Sequence, residues 1–332
     1  MTLATVTAAV LMTGCGGGND SAPGNGDNTV TPPQGNFVGA AAVGDFAKFS
    51  IAGNTLSYTL SGVVLGEEKG HLSIENVFGP VWKDVKSDLH LFLSGNLGIA
   101  KIPTGSGSIH VVGLQQSEDV EASKIAGKTY LYAYVPNSGS VEGHSITIDS
   151  NNTYSAASVA GATEKGCWKV MDSDHLVAKA NAIDCNTVTD ISADYRIALK
   201  PGTSRTGIVV DYVDGSGFGI GVEQKALTAS DVATGTFNSY YYQPGEDGFS
   251  KVTLTNGNYE WSTCDEETGK CTPYTKGTIA LNQLCNGTAI DGVACATDAN
   301  SGYMYDLFVD PEDGYYISIG NNERSVEIGS NK

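Results

Sequence analysis

A glycine-punctuated segment near the middle of the chain decides the fold: residues 207–224 read GIVVDYVDGSGFGIGVEQ. Alternating apolar residues lie on both sides of a turn built from Gly215, Ser216 and Gly217. Alternation with a period of two around a Gly turn is typical of an antiparallel β-hairpin. A similar segment at residues 98–116 reads GIAKIPTGSGSIHVVGLQQ, so the hairpin belongs to an internal repeat.

The similarity continues for several strands beyond these two hairpins. A turn of small residues follows each one, and an aromatic strand comes next, TYLYAY at residues 129–134 and TFNSYYY at residues 236–242. A related terminal hairpin recurs at residues 305–319. We therefore predict three related units, the first being the most divergent, at residues 37–122, 123–229 and 230–332.

Composition and periodicity both favour strands over helices. The chain holds 42 Gly and 16 Tyr among 332 residues, with many Thr, Val and Ile, and helical periodicity is nearly absent. Each unit has room for about five to eight strands. We therefore predict an all-β fold of serial antiparallel β-barrel or β-sandwich units, and the pattern does not choose between barrel and sandwich.

The charge balance is strongly acidic, with a net charge of -18. Because phosphate binding needs clustered Lys and Arg, we expect no nucleic-acid partner.

Acidity keeps secreted proteins soluble, and it also supplies oxygen ligands for Ca²⁺ around Gly turns. Two acidic turns, residues 211–215 and 310–314, contain such oxygen ligands, but neither matches the full EF-hand spacing. The weak calcium candidates are Asp211, Asp214, Asp310 and Asp313.

The first residues, MTLATVTAAVLMTG, form a short apolar run that ends at Cys15. Such a run is too short to span a bilayer, which needs about 20 residues, but it matches the core of a signal peptide. Leu11–Cys15 reads LMTGC and resembles the lipobox of bacterial lipoproteins. The resemblance implies that residues 1–14 are removed and that the thiol of Cys15 carries diacylglycerol.

The resemblance covers this short motif alone, and no named domain family is recognised in the body. Residues 15–36 are rich in Gly, Asn and Asp, so we expect a flexible tether behind the lipid. Gly16 in place of Asp implies, by enterobacterial sorting rules, release to the outer membrane. The pattern departs from a signal peptide in lacking Lys or Arg before the apolar run, and we expect the true start to lie upstream.

Without Cys15, six cysteines remain, and they fall into local pairs. Six cysteines allow 15 connectivities, of which nearest-neighbour pairing is favoured because each pair closes one hairpin or loop. Disulfides also agree with export to an oxidising compartment. Zinc is the competing interpretation, but the chain contains no CxxC motif. The predicted disulfides are Cys167–Cys185, Cys264–Cys271 and Cys285–Cys295.

No catalytic constellation is present in the sequence. The Gly-x-Ser-x-Gly motif of a nucleophile elbow is absent, and the acidic pairs fall in predicted turns. His90 and His110 alternate with apolar residues in strands, which predicts that both face solvent. We therefore predict no catalytic residues and no cofactor.

Aromatic residues crowd the last unit and are the best candidates for binding. Consecutive tyrosines in a strand point to opposite faces, so some of these rings must be exposed. Exposed Tyr and Trp bind sugars and proteins, whereas cross-strand packing that stabilises a sheet is the alternative. The candidate binding residues are Tyr240, Tyr241, Tyr242, Trp261 and Tyr315.

These features together predict a non-enzymatic lipoprotein at the outer membrane, on its periplasmic or surface-exposed face. The lipid on Cys15 would attach it to the membrane, and the third unit would bind a glycan or protein ligand. The alternatives are a hydrolase of envelope polymers with its site on loops, and a purely structural envelope component.

Overall fold

The chain folds almost entirely into β-strands in the part that the computed structural model describes. These strands form three closed eight-stranded antiparallel barrels in series, which confirms the all-β prediction and selects barrels over sandwiches. Cys15 and the predicted signal peptide lie outside the described residues. The described residues are 30–87, 89–105, 107–116, 119–137, 139–159, 161–201, 205–243, 246–311, 314–320 and 325–331.

Helices are few and short in the described part of the chain. They are Ala122–Ile125, Cys185–Thr187 and Ala229–Val232. None of the helices in the described ranges has the length and apolar character needed to cross a membrane.

The first barrel is a meander in which each strand pairs with its neighbour in sequence. Its strands are Gly35–Ala41 (β1), Phe46–Ala52 (β2), Thr55–Gly62 (β3), Gly66–Phe78 (β4), Val81–Asp84 (β5), His90–Ser94 (β6), Leu97–Thr104 (β7) and Gly107–Gln115 (β8). Pairing of β1 with β8 closes the barrel, so the sheet has no free edge.

The second barrel repeats this meander and closes through its first and last strands, β9 and β16. Its strands are Lys128–Pro136 (β9), Glu142–Ile148 (β10), Thr153–Ser158 (β11), Thr163–Val170 (β12), His175–Ala180 (β13), Tyr195–Pro201 (β14), Thr206–Tyr212 (β15) and Gly217–Glu223 (β16).

The third barrel has the same order and closes through β17 and β24. Its strands are Thr234–Gln243 (β17), Glu246–Thr255 (β18), Asn258–Cys264 (β19), Cys271–Gln283 (β20), Ala289–Asp298 (β21), Met304–Asp310 (β22), Tyr315–Gly320 (β23) and Val326–Ser330 (β24).

One cross-strand pair recurs at the same place in every barrel. A tyrosine of the third strand lies opposite a glycine of the fourth: Tyr58 and Gly70, Tyr154 and Gly166, Tyr259 and Gly277. A Cβ atom on Gly166 or Gly277 would lie 2.7 Å from the ring of its partner, so the ring needs glycine beneath it. The pair shows that the divergent first unit shares the scaffold of the other two.

The hairpins that mark the repeat are buried on both faces, and this explains their dense apolar character. In β15, Ile208 packs inside the second barrel, whereas Val209 points outward into a core shared by all three barrels. β1 and β8 of the first barrel pack against β14–β16, and β16 packs against β22. The outer faces of these strands therefore join the barrels instead of meeting solvent.

The prediction that His90 and His110 face solvent is wrong. The ring of His110 lies against Tyr242, with centroids 4.7 Å apart and the ring planes tilted by 57°, and His90 lies 6.0 Å from the ring of Phe249. Alternation places both imidazoles on the outer face of the first barrel, as expected. The third barrel covers that face, which no pattern local to the first barrel could indicate.

Asp247 connects the first and third barrels electrostatically. Its carboxylate lies 2.9 Å from Lys101 Nζ and 3.5 Å from His110 Nε2, and it accepts a 2.5 Å hydrogen bond from the Tyr240 hydroxyl. Burial by itself raises the pKa of Asp247, but the nearby His110 imidazole and the hydrogen bonds from Tyr240 and Lys101 outweigh it and lower the pKa. The ionised carboxylate therefore stabilises the junction.

All three predicted disulfides are present in the structure. Cys167–Cys185 ties β12 to the short helix at Cys185–Thr187, and Cys264–Cys271 joins paired positions of β19 and β20. Cys285–Cys295 ties the segment after β20 to β21. Each bond closes a local loop, as the spacing of the cysteines predicts.

We expect Asp247→Asn to lower the free energy of unfolding at pH 7 by about 1–3 kcal/mol, because charge-assisted hydrogen bonds across the junction are lost. The folded-state pKa of Asp247 is depressed, so its contribution is complete above the usual pKa, about 4, and disappears as pH falls further. Urea unfolding at pH 7 and pH 3 should therefore show a smaller acid-induced loss for the variant. Asp291→Asn, at an exposed position of β21, is the control. Equal acid-induced losses in Asp247→Asn and wild type would contradict the assignment.

Candidate functional site

The third barrel encloses a cavity of about 550 Å³. Ligand pockets in proteins commonly have volumes of about 300–1,000 Å³, and the mouths of β-barrels are among their usual locations. Eight strands leave an interior that side chains fill or that holds one small ligand. Aromatic rings dominate the lining: Phe237, Tyr241, Tyr259, Trp261, Tyr274, Tyr303, Tyr305 and Tyr316.

Small inward-facing residues account for the space. Ala296, Ser318 and Gly320 line the cavity at positions along β21 and β23. In the first barrel the interior is instead filled by large side chains such as Phe37 and Phe49, whose rings stack 4.8 Å apart. The barrels thus share a backbone design but differ in the volume of side chain directed inward.

Glu327 forms the polar centre of the cavity. The indole Nε1 of Trp261 donates to its Oε1 over 2.7 Å, and the hydroxyl of Ser239 donates over 2.8 Å. Ser250 donates to the same carboxylate oxygen. Burial, reinforced by the charge of Glu327, raises the pKa of the Tyr316 hydroxyl well above its usual range. Tyr316 therefore stays protonated beside the carboxylate.

Three hydroxyl groups in the cavity wall have no hydrogen-bond partner among the described residues: those of Tyr259, Thr275 and Tyr316. Tyr259 is 93% buried, since only 7% of its surface is exposed. Burial, with smaller contributions from Asp298, Tyr305 and Glu327, raises its pKa, so the phenol keeps its proton. A buried donor without a partner costs about 1–3 kcal/mol, and a ligand in the cavity could satisfy it.

A β-bulge shapes the aromatic wall. Trp261 pairs with Thr275 while Ser262 pairs with Pro273, so Tyr274 is an extra residue in β20. Bulges re-aim side chains, and here both Tyr274 and Thr275 line the cavity, although neighbours in a regular strand point to opposite faces. The Cys264–Cys271 disulfide fixes the end of this hairpin close to the bulge.

Three rings stand at steep angles to one another at this wall. Trp261 lies 6.4 Å from Tyr241 at an interplanar angle of 65°, and 5.3 Å from Tyr274 at 84°. We call Tyr241, Trp261 and Tyr274 the aromatic box. Tyr274 is 74% exposed, which places it toward solvent, whereas Trp261 reaches inward to Glu327.

The charge of the lining is acidic. Glu246, Asp298 and Glu327 contribute carboxylates, and no Lys, Arg or His occurs among the lining residues in the described ranges. Asp298 accepts hydrogen bonds from the backbone amides of Asn300 and Ser301, over 2.7 and 2.6 Å, which hold the turn after β21.

The structure divides the predicted binding residues between two environments. Tyr241 and Trp261 line the cavity. Tyr240 and Tyr242 flank His110 of the first barrel, and Tyr315 donates to the carbonyl of Gly221 in the second barrel over 3.3 Å. Tyr240 and Tyr315 are buried, since only 4% and 1% of their surfaces remain accessible. Alternate rings face the cavity and the neighbouring barrels.

The calcium candidates do not converge in the described structure. Asp211 is fully buried and lies 3.4 Å from Arg196 Nη1, and burial raises its pKa. Asp214 accepts from the backbone amide of Ser216, and Asp310 is buried at the end of β22. Asp313 lies outside the described residues. Within the described ranges, no three metal-ligating side chains form a group, and the calcium site stays a prediction.

Sequence reasoning missed Glu327, Tyr259 and Tyr274 as members of the site. The alternation phase of Trp261 could have indicated Tyr259, two residues earlier on the same strand. Tyr274 depends on a bulge, and Glu327 meets Trp261 only when the barrel closes, so neither has a local signal.

Solved structures that align with this chain share little sequence with it. Transferrin binding protein B from serogroup B Neisseria meningitidis aligns with 87% of this chain and 66% of its own length, at 10% identity and a TM-score of 0.27. A double mutant of that protein from Haemophilus parasuis Hp5 aligns with 86% and 65%, at 8% identity and a TM-score of 0.28. The chain thus spans slightly less than two thirds of these proteins.

DNA polymerase III subunit beta from Pseudomonas aeruginosa aligns with 90% of this chain and 92% of its own, at 8% identity and a TM-score of 0.15. TM-scores this low do not establish a common fold. No protein-family model matches the chain, and no curated protein is similar to it in sequence.

We expect Glu327→Ala to lower the free energy of unfolding by about 1–3 kcal/mol, because it removes the acceptor shared by the buried Ser239 and Ser250 and the half-buried Trp261. Urea unfolding followed by tryptophan fluorescence measures the change. Glu260→Ala, at an exposed position of β19, removes the same group from the outer face and should have little effect. Equal stability of the two variants would show that the network around Glu327 contributes nothing.

Proposed function

We propose that the protein is an exported, lipid-anchored binding protein of the bacterial envelope that holds a small ligand inside its third barrel. The single observation that carries this proposal is the cavity of about 550 Å³, with aromatic walls and the unpartnered Tyr259 hydroxyl. A mostly apolar pocket with a few convergent polar groups is the usual form of a small-molecule site.

The state of two of the three lining carboxylates, Glu327 and Asp298, supports binding over turnover. Acid–base catalysis needs a carboxyl group that is available to a substrate proton. Glu327 is engaged by three donors, and Asp298 holds its own turn through two backbone amides. Both groups are fixed in place, which suits the shaping of a pocket.

The N-terminal sequence supports the location. The LMTGC motif at Leu11–Cys15 and the Gly-rich residues that follow suit a lipid anchor and a tether. Three disulfides suit an oxidising compartment outside the cytoplasm. The proposed place is the outer membrane, with the barrels on its periplasmic or external side.

Cys15→Ala should abolish lipidation, because the thiol that would carry diacylglycerol is absent. Labelling with radioactive palmitate and separation of membrane and soluble fractions test this in bacteria that express the chain. Ser21→Ala, in the tether, should label and fractionate like wild type. Continued labelling of Cys15→Ala would contradict the anchor.

Filling the cavity should abolish ligand binding. Ala296→Phe places a ring in the cavity, whereas Ala280→Phe places the same ring on the outer face of the same barrel. The uncharged dye N-phenyl-1-naphthylamine, which fluoresces in apolar surroundings, should bind wild type and Ala280→Phe equally and Ala296→Phe at least tenfold more weakly. Equal binding by both variants would place the dye elsewhere and contradict the proposal.

A further inference from the structure

The half-buried carboxylate of Glu327 in the third-barrel cavity lacks a cationic partner among the described residues. The donors to Glu327 are one indole N–H and two hydroxyl groups, all of them neutral. Two other carboxylates of the protein do pair with cations. Asp247 lies beside Lys101, and Glu223 lies 2.8 Å from the Lys128 ammonium group. Taking a charge out of water without a counter-charge is costly, so Glu327 offers strong attraction to a cation that enters the cavity.

The aromatic box adds a second surface for positive charge. The faces of Trp and Tyr rings attract cations, and several such rings placed around one cation recognise quaternary ammonium groups. All three rings of the box line the same cavity. Trp261 is shared by both features, because its ring belongs to the box while its N–H bonds Glu327. The carboxylate and the box therefore act on the same part of the cavity.

Unpartnered hydroxyl groups in the cavity wall favour a ligand that carries a polar group in addition to its positive charge. The Tyr259 hydroxyl is 93% buried, has no partner among the described residues and lies in the cavity wall. It keeps its proton, because burial raises its pKa, and so it offers a donor to a hydroxyl or carbonyl oxygen. Thr275 presents a second unpartnered hydroxyl in the same wall.

We infer that the ligand of the third-barrel cavity is an organic cation, an alkylated ammonium group that carries a hydroxyl or ester function. The inference rests on the proposed binding function and names its ligand class. The ammonium group lies against Trp261 and Glu327, and its oxygen function meets Tyr259.

Choline and its uncharged isostere 3,3-dimethyl-1-butanol have the same shape, so a comparison of their affinities measures the contribution of the positive charge to binding. Isothermal titration calorimetry of the full chain, and displacement of N-phenyl-1-naphthylamine, measure the affinity of both. We expect choline to bind at least tenfold more tightly than the isostere, because only choline interacts with Glu327 and the ring faces. Glu327→Gln keeps the shape of the side chain and removes its charge. It should lower the affinity for choline at least tenfold and leave the affinity for the isostere unchanged.

Two further variants keep the test decisive. Glu260→Gln, on the outer face of β19, should leave both affinities unchanged. Tyr274→Leu changes a ring that is 74% exposed and is therefore compatible with folding, and it should weaken choline about threefold through loss of one cation–π contact. It provides the answer if Glu327→Gln does not fold.

The outcomes distinguish the two proposals. Equal affinities for choline and the isostere overturn the organic-cation inference, as do choline affinities that neither Glu327→Gln nor Tyr274→Leu changes. Binding of the dye without displacement by choline also overturns it, and the binding function stands. Failure of the dye to bind in the cavity overturns both.

Discussion

The constraint on which the rest of the structure depends is the closure of each eight-stranded sheet upon itself. Hydrogen bonds between first and last strands, as between β1 and β8, leave no exposed edge. Closure assigns every residue of a strand either to the barrel interior or to its outer face. Different residues of each strand therefore fill the barrel interior and form the contacts between barrels.

The three interiors show how one scaffold gives different results. Large apolar side chains fill the first barrel, and its core includes Phe37, Phe49 and Trp82. The second holds a tyrosine cluster in which the hydroxyls of Tyr154 and Tyr195 donate to Glu164 over 2.6 and 3.0 Å. The third combines aromatic rings with Ala, Ser and Gly, and the space left over becomes the cavity. Divergence of inward-facing residues thus produces a cavity without any change in strand order.

The outer faces explain why the barrels form one body. Apolar residues from all three contribute to a single shared core, and Asp247 bridges the first and third barrels beside it. The disulfide-closed turn of Cys264–Cys271 also meets the first barrel: Glu266 lies 3.7 Å from His90, and Phe78 covers Gly269. This contact holds the end of the β19–β20 hairpin, which carries Trp261 and the bulge. The first barrel therefore supports the wall of the cavity from outside.

The sequence by itself determined the local features of this protein. Alternation around Gly turns identified the hairpins, similarity between hairpins revealed the repeat, and the spacing of cysteines gave the three disulfides, because each of these depends on neighbours along the chain. Only the tertiary structure decided which outer faces are covered and how much space each barrel interior leaves. His110 has the same alternating pattern whether solvent or a second barrel lies above it. The cavity depends on the summed volume of side chains from eight strands, and the contact between Trp261 and Glu327 joins residues that approach only when β24 closes on β17.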